Sequence, residues 1–424
     1  MGVLRFLHAA DLHIDSPLRG LDAREGAPAD RVRGATRRAF SSLVDLAIAR
    51  RVQLVILAGD LYDGDWVDFR TGLFVHAELA RLAPHGICVF VVRGNHDAES
   101  LISRQLPRQS HVHVFSARVA QTQVIEVLRV AVHGRSFPDR AVGEDLVLGY
   151  PSAVAGCFNI GVLHTSLTGS PHHGTYAPTR LDRLVATGYD YFALGHIHAR
   201  QVVQESSPRI VFPGNLQGRH ALELGPKGCE IVTVEDGVLV QSEFVALDVV
   251  RWHALTLDCE ALADVDALAT QFTAALVDTL AGDHQRLHAV RVVLEGVSPL
   301  HTLEARQPGT LDAALQAAAR QHDGPEVWIE QVRLRLRSPL DRSQAATRPD
   351  AVGEVVRLVD TLRADPAGLR DWALATLDQL PALPSDLADV RLDQLPPEAW
   401  QALLADAEAT VLAQLGLGAP TTSA

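Results

Sequence analysis

The chain has 424 residues, 47% of them hydrophobic, and a formal net charge of −13. This length is enough for a large first domain and one or two smaller ones, and no apolar run approaches the roughly 18 residues of a membrane-spanning helix. The N-terminal residues lack the apolar segment and cleavage site of a signal peptide, and the four cysteines form no C-x-x-C pair, so we expect reduced thiols in a cytoplasmic protein without membrane contact.

The first half of the chain alternates short apolar runs with helical stretches. The runs are rich in Val and Ile and end at polar clusters, which indicates buried strands. Apolar residues at helical spacing predict helices over 31–50 and 69–83. The order strand, helix, strand, helix, strand predicts an α/β fold in which functional residues follow the strand ends. The predicted strands are 3–8, 53–58, 87–92, 160–164 and 190–194.

The pattern changes near residue 247, and the next ninety residues predict a small βαβαβ domain over 248–337. Its last strand alternates Val332, Leu334 and Leu336 with three arginines, which places three guanidinium groups on one face. These arginines form either a solvated face that discourages edge pairing or a stripe that contacts phosphates. The predicted elements are strand 252–259, helix 264–281, strand 287–295, helix 310–322 and strand 326–337.

The last part of the chain predicts a polar linker, 338–350, then a helical tail, 351–415, and disordered residues 416–424. The acidity of the chain is concentrated here, since residues 345–424 hold 12 acids against 5 arginines. The net charge therefore leaves the front half free to meet a nucleic acid. Two apolar stripes would either dock on a partner or pack on the parent domain. They comprise Val352, Val355, Val356, Val359 and Leu362, then Trp400, Leu403, Leu404, Ala407, Val411 and Leu415.

Polar clusters follow the predicted strands in a fixed order. Asp, Asn and His side chains are ligands for hard and borderline divalent ions, and the clusters contain no thiolate. Each cluster alone is weak evidence, because a single histidine at a strand end is more often structural. Five in succession predict a metal site, and the glycines before Asp60, Asn95 and His196 would let the backbone turn sharply. The clusters are Asp11-Leu-His13, Gly59-Asp60, Gly94-Asn95-His96-Asp97, His164 and Gly195-His196-Ile-His198.

With these motifs, residues 3–245 resemble the calcineurin-like metallophosphoesterase superfamily, whose signature is D-x-H, G-D, G-N-H-D/E, H and G-H-x-H. Within it, the chain looks most like the SbcD-type DNA exonuclease subunits, especially a bacterial YhaO-like branch. The finer resemblance rests on HAADLHIDSPLRGL (8–21), LAGDLYD (57–63), VVRGNHD (91–97) and FPGNLQGRHALELGPKGCEIV (212–232).

The resemblance implies a four-layer αββα sandwich over residues 1–247 and a pair of divalent metal ions, with Mn²⁺ expected. Asp60 would bridge the two ions, His96 would act as the acid or base at the leaving oxygen, and Asp97 would orient His96. By the same match, one ion would be held by Asp11, His13 and His198, and the other by Asn95, His164 and His196.

The segment 212–232 adds Arg219 and His220 as candidate substrate-binding residues, because Arg219 lies shortly after the H-x-H motif and a guanidinium binds phosphate bidentately. The alternative interpretation is a structural β-turn. Neither residue belongs to the superfamily signature, so their assignment rests on the finer resemblance alone.

The functional hypothesis is a Mn²⁺-dependent DNA nuclease subunit. The resemblance implies that the 248–337 domain is a DNA-contacting cap, that the 351–415 helices bind an SMC-like (SbcC-type) ATPase, and that the chain is a homodimer. No Walker motif occurs in the sequence, so any ATP dependence would come from another chain. Two alternatives are a phosphatase or phosphodiesterase of small nucleotides or phosphoproteins, and a scaffold protein that has lost catalysis.

Overall fold

A computed structural model describes residues 2–16, 28–63, 69–98, 107–167, 176–280, 282–377 and 395–415. The chain divides into two compact units. The first comprises residues 1–254, 283–290 and 325–330, and the second comprises residues 255–282, 291–324 and 331–424. This division runs through three strands.

Twelve strands of the first unit form two six-stranded sheets. The first sheet has the order β12-β11-β1-β2-β3-β4 and the second β5-β6-β7-β8-β10-β9. Neighbours from β1 to β4 are parallel, as are β6, β7, β8 and β10. The strands are β1 (Val3–Ala9), β2 (Leu54–Ala58), β3 (Cys88–Val92), β4 (Val112–Val114), β5 (Gln121–Ile125), β6 (Val130–Gly134), β7 (Phe158–His164), β8 (Tyr191–Gly195), β9 (Gln201–Gln204), β10 (Arg209–Phe212), β11 (Gly228–Glu235) and β12 (Val238–Ala246).

The predicted helix over 31–50 is interrupted at Gly34, and the predicted helix over 69–83 ends at Ala80, after which Ala83–His85 forms a 3-10 turn. A glycine inside a helix costs stability relative to alanine, which is consistent with the break at Gly34. The helices of this unit are α1 (Ala29–Arg33), α2 (Ala35–Ala49), α3 (Phe69–Ala80) and α4 (Leu181–Ala186).

The first unit consists of four layers in the order helix, sheet, sheet, helix, and three apolar clusters lie between them. Between the two sheets, Phe6 and Ile56 of the first pack with Ile160 and Tyr191 of the second. A second cluster joins the outer face of the first sheet to α2 and α3, and a third joins the outer face of the second sheet to α4. The predicted four-layer αββα sandwich is therefore confirmed, and its parallel strands end on the side that carries the polar clusters.

A three-stranded sheet follows, with the order β13-β14-β15. Within the first unit, the early residues Trp252, Ala289 and Trp328 of these strands pack with Val32 and Ala221. The predicted βαβαβ order is confirmed, with one additional helix, α6. The elements are β13 (Val250–Asp258), α5 (Val265–Leu280), β14 (Leu287–Val297), α6 (Leu300–Arg306), α7 (Thr310–Gln321) and β15 (Val327–Arg337).

The second unit ends in four helices, and its predicted linker is partly helical. Asp341 caps α8 by accepting the N–H groups of Ser343 and Gln344, and the buried Ala345 packs among apolar residues of the later helices. The segment 338–350 is therefore packed on the helical tail over part of its length. The helices are α8 (Arg342–Ala346), α9 (Ala351–Ala364), α10 (Pro366–Leu377) and α11 (Pro397–Gln414).

The apolar stripe predicted for the last helix is only partly correct. Trp400 and Leu404 are buried, but Leu403, Val411 and Leu415 are exposed. The buried face of α11 instead continues through Glu408 and Leu412, and the Nε of Arg306 donates to the carbonyl of Ala413 at 2.8 Å. The buried residues of α11 therefore recur every four positions. Leu403 and Val411, which the predicted stripe included, lie outside that face. This face packs within its own unit.

All four cysteines are free thiols. Among the described helices, none combines the length and the apolar character that crossing a membrane requires. The predicted disorder of residues 416–424 concerns a segment outside the described residues.

Candidate metal centre

The structure brings the predicted metal ligands together at the carboxyl ends of five parallel strands. Six of the seven side chains are buried, and His198 is half-buried. Three groups of ligand atoms lie within 4.8 Å of one another: Asp11, His13 and His198; Asp11, Asp60 and His164; and His13, Asp60 and His96. The ligands follow β1 (Asp11, His13), β2 (Asp60), β3 (Asn95) and β8 (His196, His198), or end β7 (His164).

The backbone at this site is strained in a way that aims the ligands inward. Asp11, His13 and Asp60 have φ values of 52°, 43° and 53°, and His196 has a φ of 103°. Residues other than glycine rarely adopt these left-handed values, and such outliers concentrate at functional sites because the surrounding structure must hold them. The strain therefore supports a functional role for these loops.

The glycines beside the ligands are needed mainly for close approach. A Cβ on Gly59 would lie 2.3 Å from Nδ1 of His164, one on Gly94 would lie 2.3 Å from Oδ1 of Asp60, and one on Gly195 would lie 1.9 Å from the carbonyl oxygen of Ala58. Only Gly59 among these three has a positive φ, 97°. The predicted sharp turn thus applies to Gly59, whereas Gly94 and Gly195 leave room for neighbouring strands and ligands.

The Nε2 nitrogens of His13 and His198 face a common point. Nδ1 of His198 lies 2.7 Å from Oε1 of Glu223, so this nitrogen carries the proton and donates it to the carboxylate. Nε2 of His198 consequently presents a lone pair, and it lies 3.2 Å from Nε2 of His13. Two ring nitrogens at this distance beside the carboxylate of Asp11 fit a divalent cation, and the N and O donors suit borderline and hard ions.

A second pair of candidate ligands, His164 and Asn95, meets around Asp60. Nδ1 of His164 donates to the carbonyl of Ala58 at 2.9 Å, which directs Nε2 towards Asn95 Oδ1 at 3.0 Å. The Oδ2 of Asp60 lies 3.4 Å from Nε2 of His164 and 3.8 Å from Nε2 of His13, so this carboxylate stands between the two histidines. This is the position that the predicted bridging ligand requires.

His196 joins the site from the second sheet. Its backbone N–H donates to both carboxylate oxygens of Asp11 at 3.0 Å, and its ring centroid lies 5.2 Å from that of His164. The seven predicted ligands are thus gathered in one buried cluster.

The electrostatics of the cluster's own side chains favour the binding of cations. Burial raises the pKa of Asp11 to about 6 and lowers that of His13 to about 4. Burial also opposes the charged form of His164, but Asp60 and Asp11 raise its pKa to about 9. A proton on His164 thus partly offsets the buried carboxylates, a role that a bound cation would take over.

The carboxylate that contacts His96 is Asp63, and the prediction that Asp97 orients His96 is wrong. Oδ1 of Asp63 lies 2.9 Å from Nδ1 of His96. Asp97 instead accepts the backbone N–H groups of Tyr62 at 3.0 Å and Gly94 at 3.2 Å, which ties the loop after β2 to the loop after β3. Although Asp97 follows His96 directly in sequence, its carboxylate binds backbone N–H groups and not the His96 ring.

The predicted substrate-binding pair divides into a half-buried arginine and an exposed histidine. Arg219 contacts Glu223 through Nη2 at 2.9 Å and Nε at 3.4 Å, and its Nη1 lies 3.9 Å from Oδ2 of Asp63. His220 is 55% exposed at its side chain. Arg219 therefore holds the carboxylate that orients His198, and contact of either residue with substrate stays a prediction.

Sequence reasoning missed Glu223 and Asp63. Glu223 also accepts the amide Nδ2 of Asn215 at 2.9 Å, so it joins three side chains beside the metal cluster. Glu223 occurs in the segment 212–232 and Asp63 in LAGDLYD, the stretches that carried the finer resemblance. The acidic residues in these two stretches could have been proposed as partners of the predicted histidine ligands.

Comparisons with known proteins agree with this geometry. The family model of calcineurin-like phosphoesterases matches residues 4–200, and that of the middle domain of metallophosphoesterase YhaO matches residues 252–337. The uncharacterised metallophosphoesterase YhaO of Bacillus subtilis (strain 168) is 35% identical over 336 residues, which covers 78% of this chain and 81% of that protein.

More distant relatives include DNA double-strand break repair protein Mre11 of Sulfurisphaera tokodaii, which is 26% identical over 50% of this chain and 53% of its own length. Mre11 of Methanopyrus kandleri is 24% identical over 58% of this chain and 57% of its own length. Among solved structures, a dimetal phosphatase from Danio rerio matches with 11% identity and a TM-score of 0.33, covering 54% of this chain and 92% of that chain. The ligand cluster and the extended match to YhaO together establish that this chain belongs to the calcineurin-like metallophosphoesterase family.

Proposed function

We propose that this phosphoesterase hydrolyses DNA phosphodiester bonds with a pair of divalent cations, Mn²⁺ being the expected ion, as an SbcD-like nuclease subunit. The observation that carries the proposal is the buried cluster in which ring nitrogens of His13, His198 and His164 lie within 4.8 Å of carboxylate oxygens of Asp11 or Asp60. DNA as substrate is supported by the distant Mre11 relatives, which are named for double-strand break repair.

The residues present fit two cations. Asp11, His13 and His198 would hold one ion, Asn95, His164 and His196 would hold the other, and Asp60 would contact both. When bound, two divalent ions would neutralise charge on a phosphoryl group and make a water molecule more acidic. The mixed N and O ligands suit Mn²⁺, and they also suit Fe²⁺ or Zn²⁺.

The remaining side chains would position and protonate the substrate. His96 is 29% exposed and is fixed by Asp63 at Nδ1, so its Nε2 is the nitrogen available to a leaving oxygen. Protonation of that oxygen is the general-acid step that an alkoxide leaving group needs. Glu223 holds His198 in the tautomer that exposes Nε2, and Asp97 fixes the loop that carries Asn95 and His96.

We further propose that the helical tail binds an SMC-like ATPase, that the active protein is a homodimer, and that it works in the cytoplasm. The exposed Leu403, Val411 and Leu415 on α11 support the first point, because the other apolar face of α11 packs within its own unit. Removing residues 345–424 would delete α11 and expose the surface of α6 against which it packs, so charged replacements at Leu403 and Val411 are the cleaner test of whether the ATPase co-purifies. Retained co-purification would contradict docking through this face.

The test of the function is metal-dependent turnover on a fixed panel. It comprises end-labelled double- and single-stranded DNA, a cyclic nucleotide and an aryl phosphate, each with Mn²⁺, Mg²⁺ or EDTA. We expect Mn²⁺-dependent cleavage of DNA that exceeds the rates on small substrates. Fast hydrolysis of the small phosphoesters with intact DNA would instead identify a phosphatase or phosphodiesterase of small substrates.

A further inference from the structure

Strand β15 carries a row of three exposed arginines that the metal centre does not use. Arg333, Arg335 and Arg337 are all exposed, and they occupy alternate positions of the strand, so they lie on one face. Strand β15 is also the last strand of the three-stranded sheet. We call Arg333, Arg335 and Arg337 the β15 arginine row.

The row lacks carboxylate partners among the residues that the structure describes. Its one side-chain hydrogen bond there runs from Nε of Arg333 to Oε1 of Gln331 at 3.0 Å. Other exposed arginines of the same unit do pair: Arg348 contacts Asp350, and Arg357 contacts Glu354. Three adjacent guanidinium groups without counter-charges repel one another and favour an anionic ligand.

The surroundings at one end of the row are already neutralised. Arg337 lines a cavity of about 340 Å³ together with Arg342 and Arg363. Both of these arginines contact the buried carboxylate of Glu408, and Arg342 also contacts Asp360, so two carboxylates balance the two guanidinium groups. The positive charge that remains for a ligand is therefore that of the row itself.

The spacing of the row suits a chain of phosphates. Alternate residues of a strand lie roughly 6.7 Å apart, so the row spans roughly 13 Å. One strand of a DNA duplex presents a phosphate every 3.4 Å or so along the helix axis, so the row can face several phosphates. Guanidinium groups bind phosphate oxygens bidentately, with a fit that a lysine lacks.

We propose that the β15 arginine row binds the phosphodiester backbone of DNA, without reading the bases. The proposal rests on the proposed function, because it supplies a backbone contact for the same substrate. Phosphate contacts fix the position of a protein on DNA but carry no sequence information. The competing explanation is that the charges only prevent pairing at the edge of the sheet.

The experiment compares two charge-matched double variants of the full-length, metal-loaded chain. Arg333→Gln with Arg335→Gln removes two members of the row, and Arg320→Gln with Arg370→Gln removes two exposed arginines elsewhere in the second unit. Duplex binding is followed by fluorescence anisotropy over a salt series, in a His96→Ala background so that the DNA stays intact. Hydrolysis of an aryl phosphodiester is measured for both doubles with His96 present.

We expect the row variant to bind duplex DNA about tenfold more weakly and to lower the salt dependence of log K by about two, one for each phosphate that a missing guanidinium no longer neutralises. The control double should bind like the parent, and both doubles should hydrolyse the aryl phosphodiester normally. Equal DNA binding by the two doubles would overturn the role of the row, as would self-association of the row variant without weaker binding.

The outcomes separate this inference from the proposed function. If the row variant cleaved and bound DNA as well as the parent, the role of the row would be refuted and the proposed nuclease function would stand. If the protein without row substitutions bound no duplex and cleaved only the aryl substrate, both the role of the row and the proposed nuclease function would be refuted.

Discussion

Oδ1 of Asp63 lies 2.9 Å from Nδ1 of His96 and 3.6 Å from Nδ1 of His13. A carboxylate at Nδ1 selects the tautomer and the orientation of an imidazole, so Asp63 fixes the direction in which Nε2 of His96 points. Asp63 is also near a candidate ligand, which gives it two separable roles. It is a positioning residue for His96 and a neighbour of the metal cluster.

Replacing Asp63 should slow reactions that need a protonated leaving oxygen. We expect Asp63→Ala to lower kcat on a dinucleotide by roughly 10²-fold, at the low end of the contribution of general acids. Turnover of a nucleoside p-nitrophenyl phosphate should fall much less, because nitrophenolate leaves without a proton. The measurement is the ratio of kcat on the dinucleotide to kcat on the p-nitrophenyl ester. Asp63→Asn should restore part of this ratio, because its amide oxygen can still accept a hydrogen bond from Nδ1 of His96.

The control for this prediction is metal content. Asp63→Ala should retain its metal ions in elemental analysis, as should His96→Ala, which removes the proposed acid itself. An equal loss on both substrates, accompanied by lost metal, would mean that Asp63 acts through His13.

Replacing Glu223 should weaken metal binding. Its carboxylate holds Nδ1 of His198 at 2.7 Å and also contacts Arg219. Loss of such a supporting carboxylate usually costs 10- to 100-fold in metal affinity, so we expect roughly this loss for Glu223→Gln in a metal titration. The matched control is Glu243→Gln, whose carboxylate pairs with Arg50 on the surface. Equal metal affinities in the two variants would show that Glu223 does not support metal binding.

That the candidate ligands lie together could be predicted from sequence, because each follows or ends a strand and the carboxyl ends of parallel strands meet at one edge. The supporting carboxylates could not, since Asp63 reaches His96 across 33 positions and Glu223 reaches His198 across 25. Asp97 shows the opposite error, because its adjacency to His96 suggested a contact that the backbone of Tyr62 and Gly94 takes instead.

The same distinction applies to the fold. Short apolar runs predicted five of the twelve described strands of the sandwich, and the apolar pattern predicted the βαβαβ order, since burial imposes such patterns directly. The buried face of α11 was assigned incorrectly in part, because Leu403 and Leu404 are equally apolar and only the packing partner selects Leu404. Which face a helix buries is a tertiary property.

A methyl group at Gly94 should disrupt the metal cluster. The added Cβ would lie 2.3 Å from Oδ1 of Asp60 and 2.8 Å from Cε1 of His164, so both side chains would have to move. We expect Gly94→Ala to lose most of its metal and its activity while the sandwich still folds. Gly143→Ala is the control, since nothing lies within 4 Å of its added Cβ. Normal metal content in Gly94→Ala, measured by elemental analysis, would contradict this account.

A histidine pair away from the metal centre should make stability depend on pH. Nε2 of His253 lies 2.9 Å from Nδ1 of His288, whose Nε2 donates to the carbonyl of Asp283 at 2.8 Å. His288 must therefore accept from His253, and both rings are neutral. Burial first, then the charges of His288 and Arg251, lower the pKa of His253 to about 4, although Asp248 and Asp283 act in the opposite direction.

The sign of the effect follows from that lowered pKa. The unfolded chain has an ordinary histidine pKa of about 6.5, so between pH 6.5 and 4 it binds more protons than the folded chain. The stability contributed by neutral His253 is therefore complete above pH 6.5 and is lost as the pH falls towards 4. His253→Gln can still donate to His288 but does not titrate, so the fall of its Tm between pH 7 and 5 should be shallower. Calorimetry on the metal-saturated protein measures this, with the exposed His284→Gln as control, and parallel Tm profiles for all three proteins would show that His253 does not titrate with unfolding.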